Sequence, residues 1–346
     1  MKPAPATKAG IDLPRMLAVG DIAPDCTMPD TGGNRVHLRS DSIAGHPVVL
    51  AFCPRRSAAS NEILQKLAWR FEVFKANGAF VFAVSPSPIS DPTLPFPVLL
   101  DPEERVFAGF TVPRDRASIV VLRRNYHVAG IVVGEADGEV AAALSLVEGM
   151  AWERQTVLMP VHPPVLLLPE ALTGDDCERL ITAFDTTGQT FIERPPPIGD
   201  FLNGVDFKMR VPEHGRKDRI DHFFFDRGVL AFLNNRFNRI VPEIAKAFQY
   251  QITQSETLRV ARYEGHRGGS LHGHRDNSPP TPYRKFAMSI NLNAKDFEGG
   301  ELRFPEFGDQ RYRPESGTAI VFSSSLLHEA MHVTFGRRYV LLAFLF

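Results

Sequence analysis

Proline sets the first limit on how this chain can fold. Pro160, Pro163, Pro164 and Pro169 crowd residues 159–169, near the middle of the 346 residues. Proline lacks the N–H a helix needs and pushes the residue before it toward extended backbone, so no helix continues through this stretch. Further prolines cluster at residues 85–97, 194–198 and 278–282, but only the central cluster divides the chain into halves that can each bury a core. The expected organisation is a disordered tail over 1–16, a domain over 17–155, a linker over 156–164 and a second domain over 165–346.

The remaining composition narrows the partners. A net charge of -1 gives no reason to expect nucleic acid or an anionic membrane surface. No apolar run approaches the ~20 residues a membrane span needs, and residues 1–10 lack the apolar centre of a signal peptide. Three cysteines, Cys26, Cys53 and Cys177, are too few and too scattered for a disulfide framework or a zinc site, which points to a reducing cytoplasm. The 26 Phe, against 2 Trp and 6 Tyr, fall largely in strand-like stretches and point to β-rich cores.

In the first half, Val48-Val49-Leu50-Ala51-Phe52 reads as a buried strand ended by Pro54. Helical spacing follows over residues 60–75, with Ile63, Leu64, Leu67, Phe71 and Phe74 on one side. Residues 80–84 read as a second strand, and 118–122 with 128–133 as a hairpin across Arg123-Arg124-Asn125. Strand, helix, strand and hairpin is a thioredoxin-like order, an α/β fold. Three segments carry a closer likeness: Val19-Gly20-Asp21-Ile22-Ala23-Pro24-Asp25, Pro29-Asp30-Thr31-Gly32-Gly33 and Pro47-Val48-Val49-Leu50-Ala51-Phe52-Cys53-Pro54. Together they resemble the opening of a peroxiredoxin of the alkyl hydroperoxide reductase and thiol-specific antioxidant type. The resemblance implies a peroxide-reacting cysteine about seven residues after the proline, at the first turn of a helix. Here Pro54 is followed by Arg55-Arg56-Ser57-Ala58-Ala59-Ser60-Asn61-Glu62, with no cysteine. A helix N-terminus lowers a thiol pKa, and neither Ser60 nor Asn61 replaces that group. Cys53 lies before Pro54 and reads as a small buried hydrophobe. This half is therefore expected to be a redox-inactive scaffold for docking or for a homodimer.

In the second half, Thr173 reads as an N-cap followed by Asp175 and Asp176 at the positive helix end. A second helical pattern covers residues 228–248, with Pro242 expected to kink or divide it. From residue 257 the pattern changes to short strands at 257–263, 285–293, 300–305, 317–323 and 339–346, separated by Gly and Pro turns, as in a jelly roll. Within it stand His274-Arg275-Asp276, then His328, then Arg338. In extended backbone His-x-Asp puts both side chains on one side. Two imidazoles and a carboxylate can cap one face of a ferrous ion and leave the other open for a co-substrate and dioxygen. Arg338 lies far enough on to receive a carboxylate.

These residues also resemble the metal motifs of prolyl 4-hydroxylase-like 2-oxoglutarate and iron(II) dioxygenases. The likeness runs through Arg262-Tyr263-Glu264-Gly265, His274-Arg275-Asp276, Phe297-Glu298-Gly299-Gly300-Glu301-Leu302-Arg303-Phe304, Gly317-Thr318-Ala319-Ile320-Val321-Phe322, Leu327-His328-Glu329-Ala330 and Gly336-Arg337-Arg338-Tyr339. It implies a double-stranded β-helix, a jelly roll with flanking helices. It also implies iron(II) on His274, Asp276 and His328, and the distal carboxylate of 2-oxoglutarate on Arg338. The implied reaction oxidises a C–H bond with dioxygen and releases succinate and CO2, with ascorbate as an accessory reductant. The substrate would be a prolyl residue or a free amino acid or other metabolite. A non-catalytic sensor binding iron and 2-oxoglutarate, and a thiol peroxidase using Cys53, are the competing readings.

Several neighbours need placing. His272 reads as a surface or supporting histidine, His332 lacks the ten-residue separation from Arg338, and His266 lies in a Gly-rich turn. Tyr263 reads either as a strand aromatic or as a hydrogen-bond donor to the co-substrate. Asn291 stands where relatives often carry a tyrosine facing it. Arg337 should face away from Arg338 by strand alternation. Residues 203–226, with Lys208, Arg210 and Arg219, read as a long irregular loop and a lid over the site.

Overall fold

The computed structural model describes residues 16–55, 59–89, 91, 93–134, 138–150, 158, 161–188, 190–192, 205–213, 216–265 and 271–346. The chain separates into two compact units, Met1–Val157 and Leu158–Phe346, so the division falls just before the proline cluster at 159–169.

The first unit has a small hairpin, β1 (Thr27–Pro29) with β2 (Arg35–His37). Its main sheet is built on β3 (Val48–Phe52), every residue of which is buried. A strand covered on both faces reads as an unbroken apolar run, which is why Val48-Val49-Leu50-Ala51-Phe52 shows no alternation. Next come α1 (Ala59–Ala76), β4 (Phe80–Ser85), β5 (Val98–Leu100), α2 (Arg105–Gly109), β6 (Ser118–Leu122), β7 (Val128–Val133) and α3 (Glu139–Glu148). The sheet order is β5-β4-β3-β6-β7. β3 runs parallel to β4 and antiparallel to β6, the thioredoxin-like arrangement. The apolar side of α1, Ile63, Leu64, Leu67 and Phe74, packs with Val49, Ala51 and α3 on one face of the sheet. Phe52, Phe82, Phe107 and Phe110 fill the other.

The second unit opens with β8 (Val165–Leu168) and α4 (Gly174–Thr186). The Thr173 side chain accepts from the Asp176 N–H, and the Asp176 carboxylate accepts from the Thr173 N–H. This reciprocal cap fixes where α4 begins. Then follow β9 (Thr190–Ile192), β10 (Phe207–Glu213), β11 (Arg216–Phe223), α5 (Arg227–Phe237) and α6 (Val241–Phe248). The single helical pattern over 228–248 is thus divided in two, with Pro242 in the first turn of α6, where its missing N–H costs nothing. The barrel strands are β12 (Arg259–Glu264), β13 (Leu271–His274), β14 (Phe286–Asn291), β15 (Phe297–Gly299), β16 (Leu302–Arg303), β17 (Arg311–Tyr312), β18 (Ala319–Ser323), β19 (His328–Ala330) and β20 (Val333–Leu345).

They form two sheets. The larger has the order β8-β18-β14-β20-β12-β11-β10-β9, with β15 joined to β20; the smaller has the order β13-β19-β16-β17. Two facing, mostly antiparallel sheets give the jelly roll that the strand spacing suggested. β20 begins at Val333 rather than near residue 339, because its first residues pair with β15.

One expectation needs correcting. Residues 207–223 are not an irregular lid loop. They form the antiparallel hairpin β10–β11, and β11 pairs with β12 from Arg219 to Phe223. Phe207-Lys208-Met209-Arg210-Val211 alternates apolar and charged residues with period two, the mark of a strand with one covered face. The density of charge in the segment hid that alternation. Residues 203–204 and 214–215 of the expected lid lie outside the described residues.

Candidate active site

The smaller sheet brings the three expected metal ligands together. β13 pairs with β19 so that His274 lies directly opposite His328, and their ring centroids are 4.4 Å apart. Asp276 follows two residues after His274, with its own N–H donating to the Ser324 carbonyl at 2.9 Å. One carboxylate oxygen lies 3.3 Å from His274 Nε2 and the other 3.3 Å from His328 Nε2. One donor atom from each side chain falls within 4.8 Å of the other two.

The protonation state suits a cation. His328 Nδ1 lies 3.0 Å from the Leu326 carbonyl. A carbonyl only accepts, so Nδ1 carries the proton and Nε2 keeps its lone pair toward the cluster. Burial, the larger influence, pulls the His328 pKa below its ordinary 6.5 against the opposing charge of Asp276. Burial alone would raise the Asp276 pKa, yet hydrogen bonding from His274 and the nearby His328 hold it below the ordinary carboxylate value. A neutral imidazole and an ionised carboxylate are the forms that bind a divalent ion. Phe322 packs against His328 at 4.7 Å between centroids, and Arg275 turns outward to Glu306 at 2.7 Å. The ligand strand is therefore held on both sides.

Arg338 reaches the same cavity from β20. It is 3% exposed, and burial works against its charge. Its Nε donates to the Asn291 side-chain carbonyl at 3.0 Å, and among the described residues no carboxylate lies within ion-pair distance. A buried guanidinium without a counter-charge is costly, and an anion entering the cavity would relieve that cost. Gly300 makes room for it. Its backbone is left-handed (φ +68), and a Cβ there would sit 2.9 Å from Arg338 Cδ.

The cavity holds roughly 250 Å³ and is lined by all three ligands, Arg338 and Tyr263. Cross-strand register sets its sheet wall in rows: Arg219, Tyr263 and Arg338 stand side by side on β11, β12 and β20. Both guanidinium groups lie over the Tyr263 ring, at 5.5 Å and 5.4 Å from its centroid. Asn291 does not line the cavity. It instead grips Arg338, and its amide donates to the Pro314 carbonyl at 3.2 Å. Arg337 faces outward to Glu264 at 3.1 Å.

The lid residues separate. Arg219 lines the cavity, Lys208 lies over the Phe184 ring at 5.0 Å instead, and the Arg210 side chain is outside the described residues. His332 is exposed; His266 and the His272 side chain lie outside the described residues. Two cationic cavity residues were missed altogether, Arg259 and Arg284. Arg259 was legible in principle: it lies four residues before Tyr263 on the same strand and so shares its face.

In the first unit, Cys53 is buried beside Ser60, and burial pushes its thiol up to about 12. Cys26 and Cys177 are pushed up to about 12 as well, again chiefly by burial. All three thiols are free.

Comparison with known proteins agrees with both halves. Residues 258–346 match the model of the 2OG-Fe(II) oxygenase superfamily, and residues 19–143 that of the AhpC/TSA family. The two matched segments do not overlap and fall one in each unit. A "Multifunctional procollagen lysine hydroxylase and glycosyltransferase" of Caenorhabditis elegans is 30% identical over 125 residues, 35% of this chain and 16% of that protein. A PKHD-type hydroxylase of Alteromonas mediterranea is 39% identical over 64 residues, 18% of this chain and 28% of that protein. The chain therefore spans less than a third of either relative. Among solved structures, a 2OG-Fe(II) oxygenase family oxidoreductase from Burkholderia pseudomallei is 18% identical, covering 53% of this chain and 84% of that one with a TM-score of 0.37. Peroxidoxin BcpB from Mycobacterium tuberculosis is 20% identical, covering 39% of this chain and 98% of that one with a TM-score of 0.36. No helix among the described residues is long and apolar enough to cross a membrane.

Proposed function

We propose that the second unit is an iron(II)- and 2-oxoglutarate-dependent hydroxylase that oxidises a C–H bond of an amino-acid-like substrate and releases succinate and CO2. The observation that carries this reading is the convergence of three donor side chains within 4.8 Å beside a buried arginine with no carboxylate at ion-pair distance among the described residues. Two imidazoles and a carboxylate suit iron(II), and Arg338 suits the far carboxylate of a diacid, which its planar fork grips with two N–H bonds. Bound iron and 2-oxoglutarate supply the oxygen activation. The chain's own residues hold and orient. His274, Asp276 and His328 fix one face of the metal site. Tyr263 and Asn291 position Arg338, and the apolar residues of the β20 wall, Val340, Leu342 and Phe344, exclude water. The three free, buried or half-buried thiols favour a reducing cytoplasm as its compartment.

The test is succinate formation by the full chain with iron(II), 2-oxoglutarate and air. Omitting either iron or 2-oxoglutarate should reduce it to background. Tight binding of both with no succinate above background, across a panel of free amino acids and prolyl peptides, would make the protein a sensor instead.

A further inference from the structure

The cavity wall carries more positive charge than the co-substrate uses. Arg219, Arg259, Arg284 and Arg338 all line it. Arg284 is matched by Glu256, which accepts from its Nε at 2.5 Å and its Nη2 at 2.7 Å. Arg219 is matched by Asp221 through two parallel bonds of 2.7 Å and 2.8 Å. Arg338 is reserved for 2-oxoglutarate in the reading above. Arg259 is the group left over. Its Nε stands 3.2 Å from an Asp221 oxygen already used by Arg219, without hydrogen-bond geometry. Among the described residues it makes no hydrogen bond at all. Yet its side chain is only 13% exposed, and its guanidinium lies over the rings of Phe223 at 5.3 Å and Phe344 at 4.8 Å. A guanidinium held against aromatic rings is fixed in place and keeps its N–H edge for a partner.

Arg259 is not a second handle for the co-substrate. Arg338 is paired with Tyr263 and Arg259 with Leu342. Four residues along a strand separate their backbones by roughly 13 Å, so the two side chains leave the sheet wall at different heights. Arg259 lies instead near Arg284, since both pack on the Phe344 ring, and Arg284 Nη1 lies 3.4 Å from the Asp276 carbonyl. Arg259, which must share the Asp221 carboxylate with Arg219, thus stands on the metal-ligand side of the cavity.

We propose that Arg259 is the anchor for a carboxylate on the primary substrate, so that the substrate class is a small free carboxylic acid, such as a free amino acid, rather than a prolyl residue within a polypeptide. This rests on the hydroxylase reading above. The cavity, roughly 250 Å³, lies at the small end of ligand pockets, in keeping with two small acids. Buried charge-assisted pairs discriminate strongly because loss of one partner strands the other.

The experiment measures binding and turnover with the full chain. Free proteinogenic L-amino acids and short straight-chain carboxylic acids are compared with their carboxamides, and with a prolyl peptide blocked at both ends. Calorimetry uses the manganese(II)-loaded protein with 2-oxoglutarate; succinate assays use iron(II). At least one acid should bind and stimulate succinate formation, with its carboxamide weaker by about thirtyfold or more. Arg259→Gln should lose that discrimination, Arg259→Lys should recover part of it, and 2-oxoglutarate affinity should move far less in both. Equal response to acid and amide, response to the blocked peptide alone, silence across the panel, or unchanged discrimination in Arg259→Gln each overturns the proposal. Failure of wild-type protein to bind 2-oxoglutarate would instead overturn the hydroxylase reading. Circular dichroism and the 2-oxoglutarate titration identify a variant that has merely unfolded.

Discussion

The two units hold their reactive residue types in opposite ways. In the first, the sheet and α1 are intact, but Cys53 is sealed at the end of β3 and its thiol is pushed up to about 12. In the second, Asp276 and His328 are also buried and His274 is half-buried, yet one donor atom of each lies close to the other two and all three residues line a cavity. Burial silences the lone Cys53 thiol because it outweighs the one opposing influence, the hydrogen bond with Ser60. The same burial prepares the histidine–carboxylate cluster, because it keeps His328 neutral while the imidazoles keep Asp276 ionised. Burial does not by itself distinguish scaffold from site; partners do.

The sharpest way to break this contrast is to remove a donor from the cluster. His274→Ala, Asp276→Ala or His328→Ala should each bring iron-dependent succinate formation to background, since two remaining ligands hold the metal weakly. Manganese(II) calorimetry should show the loss directly. Full turnover in His328→Ala with loss in His332→Ala would mean the distal ligand has been chosen wrongly.

A smaller effect is expected at the anion end of the cavity. Arg338→Ala should raise KM for 2-oxoglutarate by about thirtyfold or more, from roughly 2–5 kcal/mol lost when one member of a buried charged pair is removed. Arg338→Lys should recover part of it, since the planar fork is lost. Asn291→Ala should raise the same constant by about tenfold or less, as for a residue that orients another. An Asn291 effect equal to that of Arg338 would return Asn291 to direct contact.

The fold was largely legible because its signals are periodic. The apolar run of β3, the spacing of α1, the Thr173 cap and the short barrel strands each show one physical pattern. The convergence of His274 and Asp276 was legible because His-x-Asp needs only the strand period to bring both side chains to one side. What was missed lies where charge interrupts apolar patterning. The β10–β11 hairpin, dense with Lys, Arg, Asp and Glu, read as a loop although Phe207, Met209 and Val211 alternate. Arg259 went unassigned although it shares a strand face with Tyr263. A sequence shows which residues share a face, but the register between β12 and β20 decides that Arg259 stands opposite Leu342 and not beside Arg338.

The pH dependence of metal binding sharpens the contrast further. The His328 pKa lies below 6.5, so the ring is neutral at pH 7 and protons begin to compete with metal only as pH falls beneath that value. For His328 the sign is that lowering pH weakens binding, while raising it above neutrality adds nothing further. Metal affinity measured by calorimetry should therefore level off above pH 7 and fall on acidification. Continued strengthening from pH 7 to 8 would mean that the ring is more basic than its burial implies.

The smallest effect is expected in the first unit. With a pKa of about 12, Cys53 at pH 7 is thiolate in only on the order of one molecule in a hundred thousand, and the thiolate is the form that attacks peroxide. Cys53→Ser should therefore leave succinate formation within about twofold and peroxide consumption unchanged. Its cost should appear only as a modest loss of stability, since a hydroxyl replaces a soft, apolar thiol inside the core. A thiol-reactive dye should likewise label the native chain slowly and all three cysteines rapidly once it is denatured. Loss of peroxide consumption in Cys53→Ser, or fast labelling of native Cys53, would give the first unit a working thiol and end the contrast between the two halves.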